Sequence, residues 1–194
     1  MKIIIQIVLA ILAVDFVSGF IHWMEDTFWT EETPIVGKWI VCPNLLHHRD
    51  GMAFVKNSWW RSSWDLLVLG FLVLGAAKML GVLAWPVWLF VVVGVNANQI
   101  HKWAHMPRKA VPSPVRLLQG LHVLQSPAHH AVHHACDKNR HYCVVTNILN
   151  PVLDGIHFWR GLERLLVPIF GAPKCDDLLR GENTQNALPT QAIR

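Results

Sequence analysis

The sequence predicts an all-α integral membrane protein, with three to four membrane-embedded helices, further interfacial helices and a histidine-rich metal site at the cytosolic face. Three observations support this fold class. Of 194 residues, 53% are hydrophobic and only 15% are charged; three apolar stretches are long enough for helical spans; and the 12 histidines gather in short clusters. This composition excludes an intrinsically disordered chain and is more apolar than soluble domains usually are.

The first predicted span runs from Ile3 to Ile21. A cleaved signal peptide is the alternative interpretation, with Lys2 as its charged end. The apolar pattern continues past Asp15, however, and no A-x-A-like cleavage site follows it. An Asp inside a span is costly and usually faces a functional interior. We therefore expect this helix to be retained.

The next apolar stretch, Trp64 to Ile100, is too long for one ordinary span. We interpret it as a hairpin of two spans that is broken near residues 78–81. Pro86 and Gly94 are compatible with the second of these spans, because membrane helices contain more Gly and Pro than soluble helices do.

Shorter helices are predicted after the spans. Val115–Leu124 and Pro151–Phe170 contain no clean fourth span. We expect each to form a short amphipathic helix, the second one at the membrane interface. Residues 1–170 are then the membrane-embedded domain, and residues 171–194 form a polar tail.

The positive charges indicate which face of the membrane the loops occupy. Of the 17 lysines and arginines, all except Lys2 and Lys78 lie in the 22–63 segment or after Ile100. By the positive-inside rule, these segments are cytoplasmic. No Lys/Arg run or basic-aromatic motif is present, so nucleic acid is not an expected partner. The four cysteines form no CxxC pair, which fits a reducing compartment.

Histidines concentrate at positions that the three-span topology brings to one membrane face. His22 ends the first span, and HKWAH follows the third span with His101 and His105 at i, i+4. Residues three or four apart share a helix face, so such imidazoles can point at a common metal ion. Packing alone does not explain four imidazoles in the six residues HHAVHH, because other residues could pack there equally well. The remaining members of these clusters are His47, His48, His129, His130, His133 and His134.

Ligand type alone does not choose the metal, because imidazole suits Zn, Cu, Fe and Ni. Eight or nine histidines are enough for two ions with positions left open for oxygen. Neither the zincin motif HExxH nor the Glu-x-x-His pairs of soluble di-iron bundles occur in the chain.

Carboxylates are expected to support the site. Asp15, Ser18, His22 and Asp26 lie near one face at helical spacing, so Asp15 or Asp26 can orient a ligand imidazole. Alternatively, Asp15 is paired with Ser18 or with a neighbouring helix. Asp154 either supports a ligand in the same way or caps the helix that follows it.

Several motifs together resemble the lipid desaturase domain of the Kua/CarF family, which includes plasmanylethanolamine desaturases and a plastid-type acyl desaturase of phosphatidylglycerol. The resemblance extends from Asp15 to about Glu163. It rests on DFVSGFIHW with Asp26, on the pair His47-His48, and on NQIHKWAH, SPAHHAVHH, YCVVT and LNPVLD in that order.

The resemblance implies a membrane-embedded di-iron enzyme that uses O2 and two electrons to remove two hydrogens from a lipid chain. Plasmanyl-to-plasmenyl (vinyl ether) desaturation is the activity that it favours. The implied supporting residues are Asp15, Asp26, His129, His141 and Asp154. The implied ligands are His22, His47, His48, His101, His105, His130, His133 and His134.

Two positions depart from the family pattern. Gly51 replaces the Pro that commonly follows the His pair in HH-x-x-Pro, and Asp137-Lys138 replace the Pro-His that usually precedes Tyr-Cys in plasmanyl-type members. The second departure leaves an acyl-lipid desaturase open as an alternative. A hydroxylase with the same metal centre also stays open.

The expected electron donor follows from the absence of a nucleotide-binding motif in the sequence. Because no GxGxxG nucleotide fingerprint occurs, we expect electrons from a separate donor such as a cytochrome b5 or a ferredoxin. A membrane protein that binds or transports metal ions is the alternative of another class. It predicts ionisable residues along a path through several spans, whereas the predicted second and third spans carry only Asp65 and Lys78, at their ends.

Overall fold

The computed structural model describes residues 1–135, 139–171 and 173. Throughout this part of the chain the regular structure is helical and no strand occurs, which confirms the all-α prediction. The Asp137-Lys138 pair and almost all of the predicted polar tail lie outside the described residues.

Within the described residues, two helices are long and apolar enough to cross a membrane: α1, Lys2–Thr27, and α4, Trp59–Met79. The 26 residues of α1 span about 39 Å at the usual rise of 1.5 Å per residue. Ile3 and Ile4 near its start are exposed, while Asp15 and His22 further along are buried. The apolar first half of α1 therefore faces the surroundings, and its second half faces the protein.

The third predicted span is not one continuous helix. It is divided into α5, Trp85–Val95, and α6, Ala97–His105, with Asn96 between them. The Asn96 side chain donates to the Val92 carbonyl (2.9 Å) and accepts from Trp59 Nε1 (3.1 Å). At 11 residues, α5 is about 16 Å long, which is short of the roughly 30 Å hydrocarbon core.

The apolar helices pack around α5, which contacts both α1 and α4. Two glycines permit this approach. A Cβ on Gly94 would meet Val14 at 3.1 Å, and a Cβ on Gly70 would meet Val91 at 2.9 Å. Helix–helix contacts in membranes commonly use small residues in this way.

The loop that follows α1 returns to the end of the same helix. A π-helical turn, Gly37–Val41, leads into α2, Cys42–Arg49, and α3, Gly51–Lys56, follows at once. The side chain of Asp50 caps α3 by accepting a hydrogen bond from the Met52 amide (2.9 Å). The π turn stands directly before the helix that carries His47 and His48, and π turns are frequent at functional sites.

Four further helices complete the described chain: α7, Ser113–Gly120; α8, Pro127–His134; α9, Leu149–Gly155; and α10, Phe158–Phe170. The predicted single helix over 151–170 is broken at His157, which has a left-handed backbone (φ 54°). Because a left-handed residue cannot continue a right-handed helix, α9 and α10 are separate elements.

A buried non-helical segment, Tyr142–Thr146, crosses beside α1 and carries much of the core. The Asp15 carboxylate accepts hydrogen bonds from the amides of Val145 (2.8 Å) and Thr146 (3.1 Å) and from the Thr146 hydroxyl (2.5 Å). At Cys143, the amide donates to Asn150 Oδ1 and the carbonyl accepts from Asn150 Nδ2. Polar side chains therefore satisfy backbone groups that no sheet partner reaches.

The backbone of this segment also packs tightly against α1 at Gly19. A Cβ on Gly19 would lie 2.6 Å from Cys143 Sγ and 3.0 Å from the Cys143 backbone. We predict that Gly19→Ala lowers the stability by about 1–3 kcal/mol, the usual cost of overpacking. The measurement is thermal unfolding of the detergent-purified protein.

Gly75→Ala is the matched control, because a Cβ on Gly75 in α4 meets nothing within 4 Å. This change removes a flexible residue from a helix interior and is expected to stabilise by about 0.5–1 kcal/mol. Equal unfolding temperatures for the two variants would show that α1 and the 142–146 segment are not in tight contact.

Candidate metal centre

Nine potential ligand atoms converge in two groups near the C-terminal end of α1. Within each group, the ligand atoms lie within 4.8 Å of one another. The five-histidine group consists of His47, His101, His105, His130 and His134, and the Asp26 group consists of His22, Asp26, His48 and His133.

In the five-histidine group the ring nitrogens are packed closely. The Nε2 atoms of His101, His105 and His130 form a triangle with sides of 2.8, 2.9 and 3.2 Å. Nε2 of His134 is a further 2.9 Å from that of His130. Hydrogen bonds among these nitrogens cannot satisfy all of their lone pairs, because too few protons are available. One metal cation, by contrast, can be coordinated by all of them.

In the Asp26 group three imidazoles face one carboxylate. His48 Nε2 lies 3.0 Å from Asp26 Oδ1, and the Nε2 atoms of His22 and His133 lie 3.6 and 3.3 Å from Oδ2. Asp26 Oδ2 and the Nε2 atoms of His22 and His133 are buried without a hydrogen-bond partner. Asn44 Nδ2 donates to Asp26 Oδ1 (2.6 Å) and fixes the carboxylate.

The opposite side of these rings determines where their protons are. Nδ1 of His22 donates to the Tyr142 carbonyl (3.2 Å), and Nδ1 of His133 donates to the Arg140 carbonyl (2.9 Å). A carbonyl can only accept, so each Nδ1 carries a proton, and each ring in its metal-binding form directs an Nε2 lone pair at Asp26. Lone pairs and a carboxylate that face one another in a buried space repel unless a cation lies between them. The residues therefore fit a metal ion.

The helices distribute the ligands in a regular way. α1 presents His22 and Asp26 to one group at i, i+4, and α6 presents His101 and His105 to the other at the same spacing. The remaining two helices serve both groups. On α2, His47 and His48 belong to different groups, and on α8 the same holds for His133 and His134.

Burial keeps these imidazoles in the neutral form that binds metals. Burial and the surrounding imidazoles lower the pKa of His134 to about 2 and the pKa of His105 to about 4. The same two causes hold the pKa of His47 and of His130 well below the usual range. At neutral pH each of these rings therefore offers a lone pair without first losing a proton.

Gly51 makes room for one ligand. A Cβ on Gly51 would lie 2.6 Å from Nδ1 of His105. A proline, which also carries a Cβ, would meet the same ring. The departure of this chain from HH-x-x-Pro thus coincides with a close approach of the α3 backbone to the metal-facing helix α6.

The residues predicted to support the ligands are placed differently from the expectation. The carboxylate of Asp15 binds the Val145–Thr146 backbone, and Ser18 Oγ donates only to the Asp15 carbonyl (2.8 Å). No hydrogen bond or ion pair joins Asp15 to an imidazole in the described parts of the chain. Of the two carboxylates that the helical spacing offered, Asp26 therefore lies against the imidazoles, whereas Asp15 lies toward the 142–146 segment.

His129, His141 and Asp154 form a cluster of their own. Nδ1 of His141 lies 2.8 Å from Asp154 Oδ2, and the ring of His141 is 4.5 Å from that of His129. Asn150 Nδ2 is 3.1 Å from Nε2 of His129. His141 stands between Arg140 and Tyr142, whose carbonyls accept from Nδ1 of His133 and of His22. Asp154 also accepts from the His141 amide (3.2 Å) rather than capping α10.

Asn44, Gln125 and Asn150 are the polar residues near the site that the sequence did not single out. Asn44 binds Asp26, while Gln125 donates to the Cys143 carbonyl (2.7 Å) from a fully buried position. The sequence signal is weak. Asn44 lies three residues before His47, and its carbonyl accepts from His47 Nδ1 (2.6 Å), but nothing in the pattern distinguishes it from an ordinary helix-start Asn.

The chain is similar to a known protein family and to several curated proteins. The model of the lipid desaturase domain matches residues 11–176. This range includes every residue of the two ligand groups. No solved structure gives a significant match to the chain.

Curated relatives carry two kinds of name. A plasmanylethanolamine desaturase of Myxococcus xanthus is 33% identical over 96% of this chain and 68% of its own length. Plasmanylethanolamine desaturase 1 of Mus musculus is 32% identical over 91% of this chain and 69% of its own length. The chloroplastic fatty acid desaturase 4 of Arabidopsis thaliana is 31% identical over 77% of this chain and 47% of its own length.

The geometry predicts that Asp26 contacts a metal ion directly. Asp26→Asn keeps the size of the side chain and removes its charge, so we expect metal affinity to fall beyond the roughly 10–100-fold that is typical when a residue merely supports a ligand. The measurement is elemental analysis of the detergent-purified protein, which should lose about one of two bound ions.

Glu32→Gln is the control for Asp26→Asn, since it also removes one negative charge but at an exposed position after α1. It should leave the metal content unchanged, and both variants should insert into membranes normally. Full metal content in Asp26→Asn would leave this carboxylate with a structural role only.

Proposed function

We propose that this chain introduces a vinyl-ether double bond into the ether-linked chain of a plasmanyl phospholipid. The premise is that the chain belongs to the lipid desaturase domain family and is a membrane lipid desaturase. Two iron ions are the proposed cofactor and O2 the co-substrate. The observation that carries the proposal is the convergence of eight imidazole nitrogens and one carboxylate at the end of an apolar helix.

The two ligand groups are the proposed holders of the two ions. Each has at least three imidazole donors, and Asp26 adds the negative charge that offsets part of the charge of the cations. When bound, the iron ions activate O2, so that –CH2–CH2–, O2, two electrons and two protons give –CH=CH– and two waters. Iron is favoured over zinc because desaturation is an oxidation and Zn²⁺ has no redox chemistry.

The chain itself supplies orientation and an apolar environment. Backbone carbonyls of Asn44, Arg140 and Tyr142 hold three imidazole rings in place. The Phe54 ring lies 5.0 Å from the ring of His101 and 5.6 Å from that of His47, and it shields the five-histidine group. An apolar shell of this kind controls the access of water to a metal site.

The choice of the ether-linked chain rests on the relatives that carry the name plasmanylethanolamine desaturase and align over nearly the whole chain. An acyl chain is the second candidate, favoured by the similarity to the Arabidopsis fatty acid desaturase 4 and by Asp137-Lys138 in place of Pro-His. A hydroxylase with the same centre differs only in the fate of the second hydrogen, so product analysis separates it from both.

The remaining parts of the proposal concern location and electrons. We place the metal centre on the cytoplasmic face, because most lysines and arginines lie in the segments that carry its ligands. Electrons come from a separate donor of the cytochrome b5 or ferredoxin type. The phospholipid substrate reaches the centre from the membrane, which is consistent with the apolar α1 and α4 beside it.

The first test compares metal content and product formation in wild type and His133→Ala. His133 is fully buried and lies in the Asp26 group, so its loss should lower metal affinity by more than about 100-fold and reduce desaturation to background. The protein is purified in detergent, reconstituted with an ethanolamine plasmanyl lipid or its diacyl counterpart and an electron donor, and the lipids are analysed by mass spectrometry.

His157→Asn is the control, because His157 is exposed and has a left-handed backbone that Asn tolerates. It should retain metal and activity. A vinyl-ether product from the plasmanyl lipid supports the proposal, and a product from the diacyl lipid alone supports the acyl alternative. Wild type that binds zinc but no iron after anaerobic reconstitution would overturn the di-iron proposal.

A further inference from the structure

We propose that a groove between α1, α4 and α5 holds the part of a phospholipid hydrocarbon chain that extends beyond the reacting carbons. This inference rests on the proposed function and assigns a binding position to its substrate. The groove is a shallow apolar cleft with about 400 Å³ of empty space, a figure that includes its open mouth.

Three helices form the groove. α5 is its floor, since α1 and α4 both pack against α5, and the latter two helices are its walls. Gly70 and Gly94, which permit the helices to approach, also line it. The other lining side chains come from α1 (Val14, Val17, Ser18 and Ile21), α4 (Leu66, Leu69 and Val73) and α5 with the start of α6 (Phe90, Val91, Val95 and Ala97).

The lining selects for an apolar occupant. Ser18 is its one polar side chain, and the Ser18 hydroxyl already donates to the Asp15 carbonyl (2.8 Å). The same oxygen also lies 3.5 Å from the Val144 amide, which donates to it. A head group or a polar metabolite would leave its own polar atoms unpaired here, which is unfavourable. A hydrocarbon chain has none to pair.

The position of the groove indicates where such a chain comes from. Its two walls are the helices that are long and apolar enough to cross a membrane. Leu69, at the wall, is 39% exposed, so the groove opens toward the surroundings of these helices. At this depth the surroundings are lipid chains. The occupant is therefore a membrane lipid that enters sideways.

The positions of the lining residues along α1 and α6 connect the groove with the metal centre. Ser18 lies one helical turn before His22, and Ala97 lies one turn before His101. The rings of His22 and His101 are 5.5 Å apart and belong to different ligand groups. The inner end of the groove therefore points at the junction of the two groups.

The opposite end of the groove lies away from the metal centre. From Ile21 back to Val14 the α1 wall is about 10 Å long at 1.5 Å per residue. Because α4 runs away from the centre, Val73 lies at the far end, as does Phe90, the first α5 residue in the lining. A chain that reacts near His22 and His101 would thus have its middle part near Val73 and Phe90.

The first experiment detects occupancy without requiring turnover. The purified full chain is reconstituted in vesicles with an ethanolamine phospholipid that carries a diazirine in the middle of one chain, and labelled residues are mapped by mass spectrometry after irradiation. Label concentrated on Val73 and Phe90 is expected. Label spread equally over the outward-facing Val68 and Val92, which are 52% and 57% exposed, would overturn the groove as a binding site.

The second experiment tests whether the groove selects chain length. Val73→Trp fills its far end, and Val68→Trp places the same side chain on the outer face of the same helix. We expect Val73→Trp to lower kcat/KM for long chains by about 10-fold or more relative to short chains, a size typical of steric exclusion from apolar pockets. Val68→Trp should leave the chain-length profile and the metal content unchanged.

The outcomes separate this inference from the proposed function. Label in the groove without desaturation would retain the binding site and remove the proposed activity. Desaturation by wild type with the same chain-length profile in both Trp variants would retain the activity and overturn the groove.

Discussion

At the end of α1, nine ligand atoms face one another in a space largely closed to water, and this crowding calls for a cation between them. The rings of His22 and His133 cannot turn away, because their Nδ1 protons are bound to backbone carbonyls. Such an interior is costly when empty of cations and favourable when filled. On the proposed function, a bound metal would therefore help to hold four helices and the 139–143 loop in one place.

The second constraint is the attachment of the Tyr142–Thr146 segment to α1. Asp15 binds the Val145 and Thr146 amides, and the same segment supplies the Tyr142 carbonyl that orients His22. Asp15 and His22 lie on one helix, two turns apart. The carboxylate therefore sets the position of the loop, and the loop sets the ring. An Asp within an apolar helix is thus connected with the candidate metal centre without touching it.

The clusters of histidines could be recognised from the sequence because helix periodicity is local. Spacings of three and four residues already place His101 with His105 on one face. The division of His47 from His48, and of His133 from His134, could not be recognised, since it depends on how α2 and α8 lie between the two groups. The break of the third span at Asn96 was missed for a similar reason. The Asn96 side chain accepts a hydrogen bond from Trp59, which lies 37 positions away in the chain.

Two pairs of sequence neighbours each contribute to both ligand groups, and this has a consequence for assembly. His47 and His48 share the short helix α2, and His133 and His134 share the short helix α8. A displacement of either helix therefore moves ligands of both groups together. The two groups are formed as one unit rather than as two independent sites.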